Sequence, residues 1–397
     1  MNKKRVLFIM PSMFIGGAER SLLGLLNAFD YDRYDVSLFL YRHEGEFLSL
    51  IPEQVTILPP MKEYGTFDVP IKSLLFSSRW PFALARLFSK VGKRIHSQRS
   101  KERPGVWMSM QYTSRFLLPL LPDIPGEYDA GVSFLGVPNV LASKVRAKKK
   151  IAWNHTDYTV LGPDKVYDLS VYRQMDRVIS VSEQCTKQFL SVYPQLKERA
   201  ETIGNILSEK LLRTQAEQSV PDFQPVPGEI RLLSVGRYSE AKNFDNVPAI
   251  CRAIRESGLN VKWYLIGYGG DEELIRRRIA DTGMEEYVII LGKRDNPYPY
   301  IKACDLYVQP SRYEGKCVSV IEAQILQKPV VITAYPTSAC QLEDGVDGVI
   351  VPLDNAGCAK GITDLLRDEP RMAMLKKNCA GRDYSNVKEI EKLYELV

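Results

Sequence analysis

Two glutamates eight residues apart, Glu314 and Glu322, stand on either side of the start of a predicted helix. Eight residues are about two helical turns, so both carboxylates are predicted to lie on roughly one helix face. The helix start, at Cys317, Val318 and Ser319, offers unpaired backbone N–H groups to an anion such as a diphosphate. One acid on each side of that anion suits a nucleotide sugar, whereas by spacing alone the two could be ordinary surface acids.

Two cations, Arg237 and Lys242, follow a predicted strand, Ile230 to Val235, in the sequence GRYSEAKNFD. Ligands of parallel α/β sheets bind beyond the carboxyl ends of the strands, which is where these cations are expected. They could neutralise a diphosphate, and stabilising a departing diphosphate lowers the barrier to group transfer. The alternative is a basic pair that is merely solvated.

Histidine and glycine supply further candidates at predicted strand ends. His155 follows the strand Ile151 to Trp153, although a lone histidine is more often structural. Gly16, Gly17 and Gly267 follow two other strands, where glycine lets the backbone approach a ligand closely or simply makes a turn. No G-x-G-x-x-G is present, so a dinucleotide fingerprint is not supported.

The element expected to position the two glutamates is a βαβ unit. It comprises a strand at Leu306 to Gln309, a polar loop, a helix at Val318 to Leu326 and a second strand at Val330 to Thr333. A chain of 397 residues is too long for one typical core, so two domains are expected.

The E-x7-E pattern, in the setting QPSRYEGKCVSVIEAQILQKPVV, resembles the retaining family-4 glycosyltransferases of GT-B fold that assemble bacterial polysaccharides. The resemblance implies an α/β protein with two Rossmann-like, doubly wound domains facing a central cleft. The predicted parts are an N-terminal acceptor-binding domain at 1–205, a proline-rich linker at 206–228, a nucleotide-sugar-binding domain at 229–380, and a C-terminal helix at 381–397 that crosses back to the first domain. Lys316 departs from the family, which usually has an aromatic or small apolar residue there.

The resemblance also implies a role for each candidate. Arg237 and Lys242 hold the donor diphosphate, Glu314 binds the donor sugar, Glu322 binds the ribose, and His155 touches the sugar from the other domain. These residues except Glu322 form the predicted catalytic set. The predicted substrate-binding set is Gly16, Gly17, Gly267, Lys293, Arg294, Gly315, Lys316, Cys317, Val318, Ser319 and Glu322.

The implied activity is transfer of a hexose, with retention, from a nucleotide sugar to a glycan or lipid-linked oligosaccharide in cell-surface polysaccharide synthesis, such as that of a capsule. A UDP-sugar is the expected donor. Two alternatives stay open: a GT-B nucleotide-sugar epimerase and a non-catalytic glycan-assembly subunit. No cofactor and no metal are expected, because the sequence has no D-x-D at a strand end and no His/Cys cluster.

Charge is distributed unevenly along the chain. Residues 1–200 contain 28 Lys and Arg against 19 Asp and Glu, and the remainder contains 25 against 29. This argues against a nucleic-acid binder and suggests that only the first half meets an anionic surface. Between Ser77 and Phe116, within the aromatic-studded segment 71–120, there are nine Lys and Arg and one acid, Glu102. Such a segment indicates either a helix lying on an anionic membrane or a helical hairpin with a solvated basic face.

Cysteine usage and hydropathy bear on location. The seven cysteines include no C-x-x-C pair, which is typical of reduced thiols in a cytoplasmic protein. No apolar run reaches the roughly 18 residues that span a bilayer. The start, MNKKRVLFIM, is interpreted as a first strand and not as a signal peptide. We therefore expect a cytoplasmic protein, peripheral on the inner face of the cell membrane if segment 71–120 binds lipid.

Overall fold

The structure, a computed structural model, describes residues 3–100 and 105–397. Two compact units divide the chain: the first comprises Met1–Ile206 with Lys388–Val397, and the second is Leu207–Val387. Part of the predicted basic segment, residues 101–104 with Glu102, lies outside the described residues.

The first unit is built on a parallel sheet of seven strands, ordered β3-β2-β1-β4-β5-β6-β7. This order, in which the chain winds outward in both directions from β1, is that of a Rossmann-like doubly wound domain. Its strands are β1 Lys4–Met10, β2 Tyr34–Leu40, β3 Thr56–Ile57, β4 Glu127–Ser133, β5 Arg146–Asn154, β6 Arg177–Ser180 and β7 Ala200–Thr202.

Helices cover both faces of this sheet, as the continuous apolar strands require. In β1, Val6, Phe8 and Met10 enter one hydrophobic cluster, and Leu7 and Ile9 enter the cluster on the other face. The helices are α1 Gly17–Ala28, α2 Ile71–Leu75, α3 Trp80–Ser100, α4 Val106–Leu117, α5 Asn139–Lys144, α6 Lys165–Tyr172 and α7 Glu183–Val192.

A buried carboxylate fastens α4 to the body of the first unit. Asp168, on α6, accepts hydrogen bonds from Trp107 Nε1 at 3.2 Å and from Gln111 Nε2 at 2.6 Å, both on α4. The hydroxyl of Tyr193 donates to it at 2.7 Å, and the Tyr158 hydroxyl donates to it as well. Four donors thus satisfy a side chain that is fully buried.

The second unit repeats the architecture with six parallel strands, ordered β10-β9-β8-β11-β12-β13. The two sheets together confirm the predicted α/β class with two Rossmann-like domains. The strands are β8 Ile230–Val235, β9 Val261–Ile266, β10 Val288–Gly292, β11 Leu306–Gln309, β12 Val330–Thr333 and β13 Val349–Val351.

The helices of the second unit include one that the sequence did not predict. The segment 206–228, predicted as a linker, forms α8 and buries Leu212, Ala216 and Phe223 in the core of the unit. Apolar residues spaced along this polar, proline-rich stretch are enough to dock it. The helices are α8 Glu209–Gln215, α9 Val247–Glu256, α10 Glu272–Thr282, α11 Tyr298–Ala303, α12 Val318–Ile325, α13 Asn355–Arg367 and α14 Glu369–Ala380.

The last helix, α15 at Ile390–Leu396, belongs to the first unit. The Tyr394 ring stacks on Tyr34 with ring centroids 4.7 Å apart and meets Phe29 edge-on at 5.5 Å. Its hydroxyl accepts a hydrogen bond from the Asp30 backbone at 2.7 Å. Aromatic packing and this hydrogen bond therefore fix the C-terminal segment to the end of α1 and the start of β2.

Candidate active site

In the second sheet the strand order reverses between β8 and β11, which lie side by side. Open parallel α/β sheets bind ligands beyond the carboxyl ends of such strands, where the loops leave in opposite directions. The loop after β8 carries Arg237 and Lys242, and the loop after β11 carries Glu314. The fold thus brings Arg237, Lys242 and Glu314 to one edge of one sheet.

Lys242 and Glu314 are in direct contact. Lys242 Nζ lies 2.5 Å from Glu314 Oε1, and their side chains are only 18% and 12% exposed. The same ammonium lies 3.6 Å from Cys317 Sγ, at the start of α12. The cation, the acid and the helix start that the sequence placed around one ligand therefore form a single cluster.

Glu314 is held from two further sides. Ser311 Oγ donates to its carboxylate at 2.6 Å, and Thr337 Oγ1 donates to its backbone carbonyl at 2.9 Å. Ser311 is in turn fixed by Gln309 Nε2, at 2.9 Å. Ser311 thus orients the carboxylate, and Thr337, from the loop after β12, holds the backbone of Glu314.

The first turn of α12 has backbone donors to spare. Gln341 Oε1 accepts the hydrogen bond from Cys317 N–H at 2.6 Å. In the described part of the chain, the N–H groups of Val318 and Ser319 have no hydrogen-bond partner. Helix-start N–H groups beside a lysine make a binding site for an anion. Gly315 and Lys316 lie half-buried in the loop just before this turn.

The charge state of Lys242 follows from its neighbours. Burial alone lowers the pKa of Lys242, but the neighbouring Cys317 and Glu314 outweigh burial and raise it above its ordinary value. Burial also raises the pKa of Cys317, so its thiol is protonated at neutral pH. The negative charge that stabilises the Lys242 ammonium is therefore that of the Glu314 carboxylate. The cluster therefore holds a positive ammonium at the helix start.

Arg237 differs from Lys242 in being exposed to solvent. Its guanidinium has no ion-pair or hydrogen-bond partner among the described residues. The Lys242 side chain packs closely against the neighbouring Gly236: a Cβ at position 236 would lie 3.2 Å from Lys242 Cε. The two cations thus leave the same strand end, one fixed and one extended into solvent.

Glu322 lies apart from this cluster. It is fully buried on α12, and its Oε1 accepts a hydrogen bond from the Tyr298 hydroxyl at 3.0 Å. Its contact with a ribose stays a prediction, and in this structure the carboxylate is buried and bonded to Tyr298.

The loop after β10 places the predicted pair Lys293 and Arg294. Arg294 is engaged within the protein: its Nη2 lies 2.6 Å from Asp222 Oδ2 and its Nε 2.9 Å from the Tyr300 hydroxyl. Lys293 is exposed, with Nζ 5.0 Å from the centroid of the Tyr268 ring. The Arg294 side chain thus secures the segment before β8. The backbone of this loop and the exposed Lys293 side chain are the parts that could meet a ligand.

Gly267, after β9, is required by its own neighbours. Its φ is +154°, and a Cβ built on it would lie 1.8 Å from the Gly236 carbonyl oxygen. The loops after β8 and β9 can therefore approach each other only with glycine at this position.

We expect Gly267→Ala to lower the free energy of unfolding by about 1–3 kcal/mol, because the methyl group must displace the Gly236 backbone. Gly270→Ala is the matched control, since a Cβ there meets nothing within 4 Å. Thermal melting of both variants measures the difference. Equal melting temperatures would contradict the tight approach.

In the first unit, His155 follows β5 and is half-buried. Its Nε2 lies 2.8 Å from the Phe134 carbonyl oxygen, which can only accept, so Nε2 carries the proton. Burial lowers the pKa of His155 to about 4, and this hydrogen bond opposes the shift in part. His155 is therefore neutral at pH 7. The other predicted residues of this unit, Gly16 and Gly17, form the N-cap and first residue of α1.

The depressed pKa of His155 predicts acid sensitivity of the first unit. The unfolded chain takes up a proton near the ordinary pKa of 6.5, but the folded protein does so only near 4. The stabilisation is complete above pH 6.5 and is lost as pH falls toward 4. His155→Gln cannot titrate. We therefore expect this variant to lose up to about 3 kcal/mol less stability than wild type on acidification. Urea unfolding of both proteins at pH 7 and pH 4.5 tests this, and identical pH dependences would contradict it.

Three residues near the cluster were not found from the sequence: Tyr335, Thr337 and Gln341. Tyr335 is 1% exposed, and its hydroxyl has no hydrogen-bond partner in the part of the chain that the structure describes. Burial first, then the neighbouring Cys317 and Glu314, raise its pKa. All three follow β12, the strand next to β11, so the strand-end rule applied to β12 was the signal that could have identified them.

The match to a known protein family lies within the second unit. The model of the family described as glycosyl transferases group 1 matches residues 216–382. A Campylobacter jejuni relative, N-acetylgalactosamine-N,N'-diacetylbacillosaminyl-diphospho-undecaprenol 4-alpha-N-acetylgalactosaminyltransferase, is 29% identical over 140 residues, which are 35% of this chain and 38% of the relative. An Escherichia coli relative, UDP-Gal:alpha-D-GlcNAc-diphosphoundecaprenol alpha-1,3-galactosyltransferase, is 24% identical over 120 residues, 30% of this chain and 31% of the relative.

Likeness to solved structures extends over the whole chain. HepE from Anabaena, solved in complex with UDP and glucose, has a TM-score of 0.68 at 17% identity and covers 99% of this chain and 100% of its own. At this identity the likeness shows the fold, which is that of the GT-B glycosyltransferases. The match to residues 216–382 lies within the second unit and contains Arg237, Lys242, Glu314 and Glu322.

Proposed function

We propose that this chain is a retaining hexosyltransferase of family 4 that moves a sugar from a UDP-sugar to a glycan or lipid-linked acceptor during bacterial surface-polysaccharide assembly. The observation that carries the proposal is the contact of Lys242 with Glu314 beside the free N–H groups of Val318 and Ser319. A cation and helix-start donors suit a diphosphate, and a carboxylate next to them suits sugar hydroxyls.

In this proposal the donor replaces contacts that the protein makes with itself. The diphosphate takes the Lys242 ammonium and the helix-start N–H groups, and the exposed Arg237 closes onto it. Glu314 then accepts hydrogen bonds from the sugar. These cations stabilise the negative charge that develops on the departing UDP in the transition state, and this lowers the barrier to transfer. The neutral His155 is assigned to the donor sugar, as the family resemblance implies.

The relatives support the choice of donor and acceptor. The Campylobacter jejuni and Escherichia coli enzymes are both named for substrates carried on diphosphoundecaprenol, the latter with UDP-Gal. HepE was solved with UDP and glucose. A cytoplasmic site of action, at the face of the membrane where such a lipid-linked acceptor is reached, completes the proposal.

The test is to incubate the protein with UDP- and GDP-sugars, with and without a diphosphate-linked lipid acceptor, and to measure nucleotide release and the anomeric configuration of the product. We expect UDP release that requires the acceptor and a product that keeps the donor's configuration. Turnover of the donor without acceptor would favour the epimerase. No turnover with any donor would favour the non-catalytic subunit.

Activity is expected to survive removal of divalent cations. Arg237 and Lys242 already supply positive charge where a metal would otherwise act, and the described residues hold no group of three or more His, Cys, Asp or Glu placed to bind one ion. We expect the transfer rate in excess EDTA to stay within about twofold of the untreated rate. A loss that Mg²⁺ or Mn²⁺ restores would overturn the metal-independent assignment.

A further inference from the structure

Helix α3 turns a stripe of large apolar side chains toward solvent. Trp80, Phe88 and Val91 are 54%, 59% and 54% exposed. At 3.6 residues per turn the stripe occupies an arc of only about 100° around the helix axis. Its members are Trp80, Leu84, Leu87, Phe88, Val91 and Ile95.

The roughly opposite face of α3 is already packed within the first unit. Phe82, Ala85 and Ser89 are buried there. Against the same side, the His96 ring lies 5.9 Å from the Tyr112 ring of α4, and Lys93 donates to Ser109 at 2.9 Å. α3 therefore has two apolar faces, of which the unit covers one. An exposed apolar face of this kind marks an interaction surface.

The charge around the stripe identifies the partner's chemistry. The sequence of α3 contains no Asp or Glu. Lys90 and Arg94 are exposed along one border of the stripe. Just before the helix, Phe76 is 93% exposed. An apolar stripe bordered by cations matches the headgroup and acyl boundary of an anionic bilayer, where helices lie about 5–10 Å deep.

No helix within 3–100 or 105–397 is long and apolar enough to cross a bilayer. We propose that α3 instead lies flat in the surface of an anionic phospholipid membrane, with Trp80, Phe88 and Val91 among the acyl chains and Lys90 and Arg94 at lipid phosphates. The proposal goes beyond the proposed function, because α3 belongs to the first unit and binding needs neither donor nor acceptor.

Sedimentation with vesicles tests the surface directly. We expect the full chain to bind vesicles of phosphatidylcholine with one quarter phosphatidylglycerol, to bind pure phosphatidylcholine at least tenfold more weakly, and to be released at high salt. The fluorescence of Trp80 should shift to the blue on binding, and Trp80→Phe should remove the shift.

Two double variants separate the apolar and the charge contributions. Phe88→Ser with Val91→Ser should weaken binding to the anionic vesicles at least tenfold, and Lys90→Glu with Arg94→Glu should do the same. The matched controls lie in the second unit: Leu353→Ser with Met374→Ser, which are 41% and 44% exposed, and Arg277→Glu with Arg278→Glu on α10. The controls should bind like wild type.

Several results would overturn the proposal. One is a failure of the full chain to bind anionic vesicles, and another is equal binding by the Phe88/Val91 variant and wild type. A lipid-free dimer that the Phe88/Val91 substitutions dissociate would assign the stripe to a second copy of the chain instead. All of these readouts are independent of sugar transfer, so they stand whether or not the donor assay succeeds.

Discussion

Replacing Lys242 by alanine is expected to lower the rate of sugar transfer by about 10²- to 10³-fold, the effect of removing one charge-stabilising group from a transfer site. The ammonium is nearly buried between Glu314 and Cys317, so water cannot substitute for it, and its loss also leaves the Glu314 carboxylate without a counter-charge. Initial rates of UDP release with saturating acceptor measure the effect.

Lys302→Ala is the control for this variant. Lys302 also forms an ion pair, at 2.6 Å from Glu217, but it lies on the surface of α11, away from the strand ends. Its loss should leave the rate within about twofold of wild type. If Lys242→Ala and Lys302→Ala had similar rates at similar melting temperatures, the assigned role of Lys242 would be wrong.

Replacing Asp168 by asparagine is expected to lower the free energy of unfolding of the first unit by about 3 kcal/mol or more. The four donors around Asp168 need an acceptor with two oxygens. In asparagine an NH2 group replaces one of these oxygens, and it faces the donors without being able to accept from them. Burial raises the pKa of Asp168, while hydrogen bonds from its four neighbours lower it in part. Urea unfolding followed by tryptophan fluorescence reports the change, because Trp107 is one of the four donors.

Asp32→Asn provides the comparison in the same unit, since Asp32 is exposed between α1 and β2. This change should alter the free energy of unfolding by no more than about 0.5 kcal/mol. A small effect of Asp168→Asn, equal to that of Asp32→Asn, would mean that α4 is held without the carboxylate.

The strands near the site were predicted with little error, because buried parallel strands are short continuous apolar runs ended by polar loops. β8, β11 and β12 have the predicted bounds, and α12 ends one residue earlier than predicted, at Ile325. The helix after Lys242 begins only at Val247, because Asn243 is left-handed with φ 60°. A single backbone angle of this kind leaves no trace in hydrophobic periodicity.

The residues of the site were easier to predict than their contacts. Strand-end position and the family resemblance selected Lys242 and Glu314, but their ion pair depends on side chains from two loops 72 residues apart. Arg294, another predicted ligand residue, contacts Asp222 and Tyr300, and the sequence did not predict either contact. Composition could not distinguish a membrane helix from a hairpin in segment 71–120, because α3 packs one face on α4 and exposes the other.

Because the last ten residues belong to the first unit, the second unit is an insertion within it. A ribosome delivers residues 207–387 before Tyr394, so the second unit has all its residues at a time when the first still lacks α15. Until then Phe29 and Tyr34 have an uncovered apolar edge. Domains usually fold in order from the amino terminus during synthesis. In this chain the second unit can be completed before the first. Premature termination near residue 387 would yield a finished second unit joined to an unfinished first one.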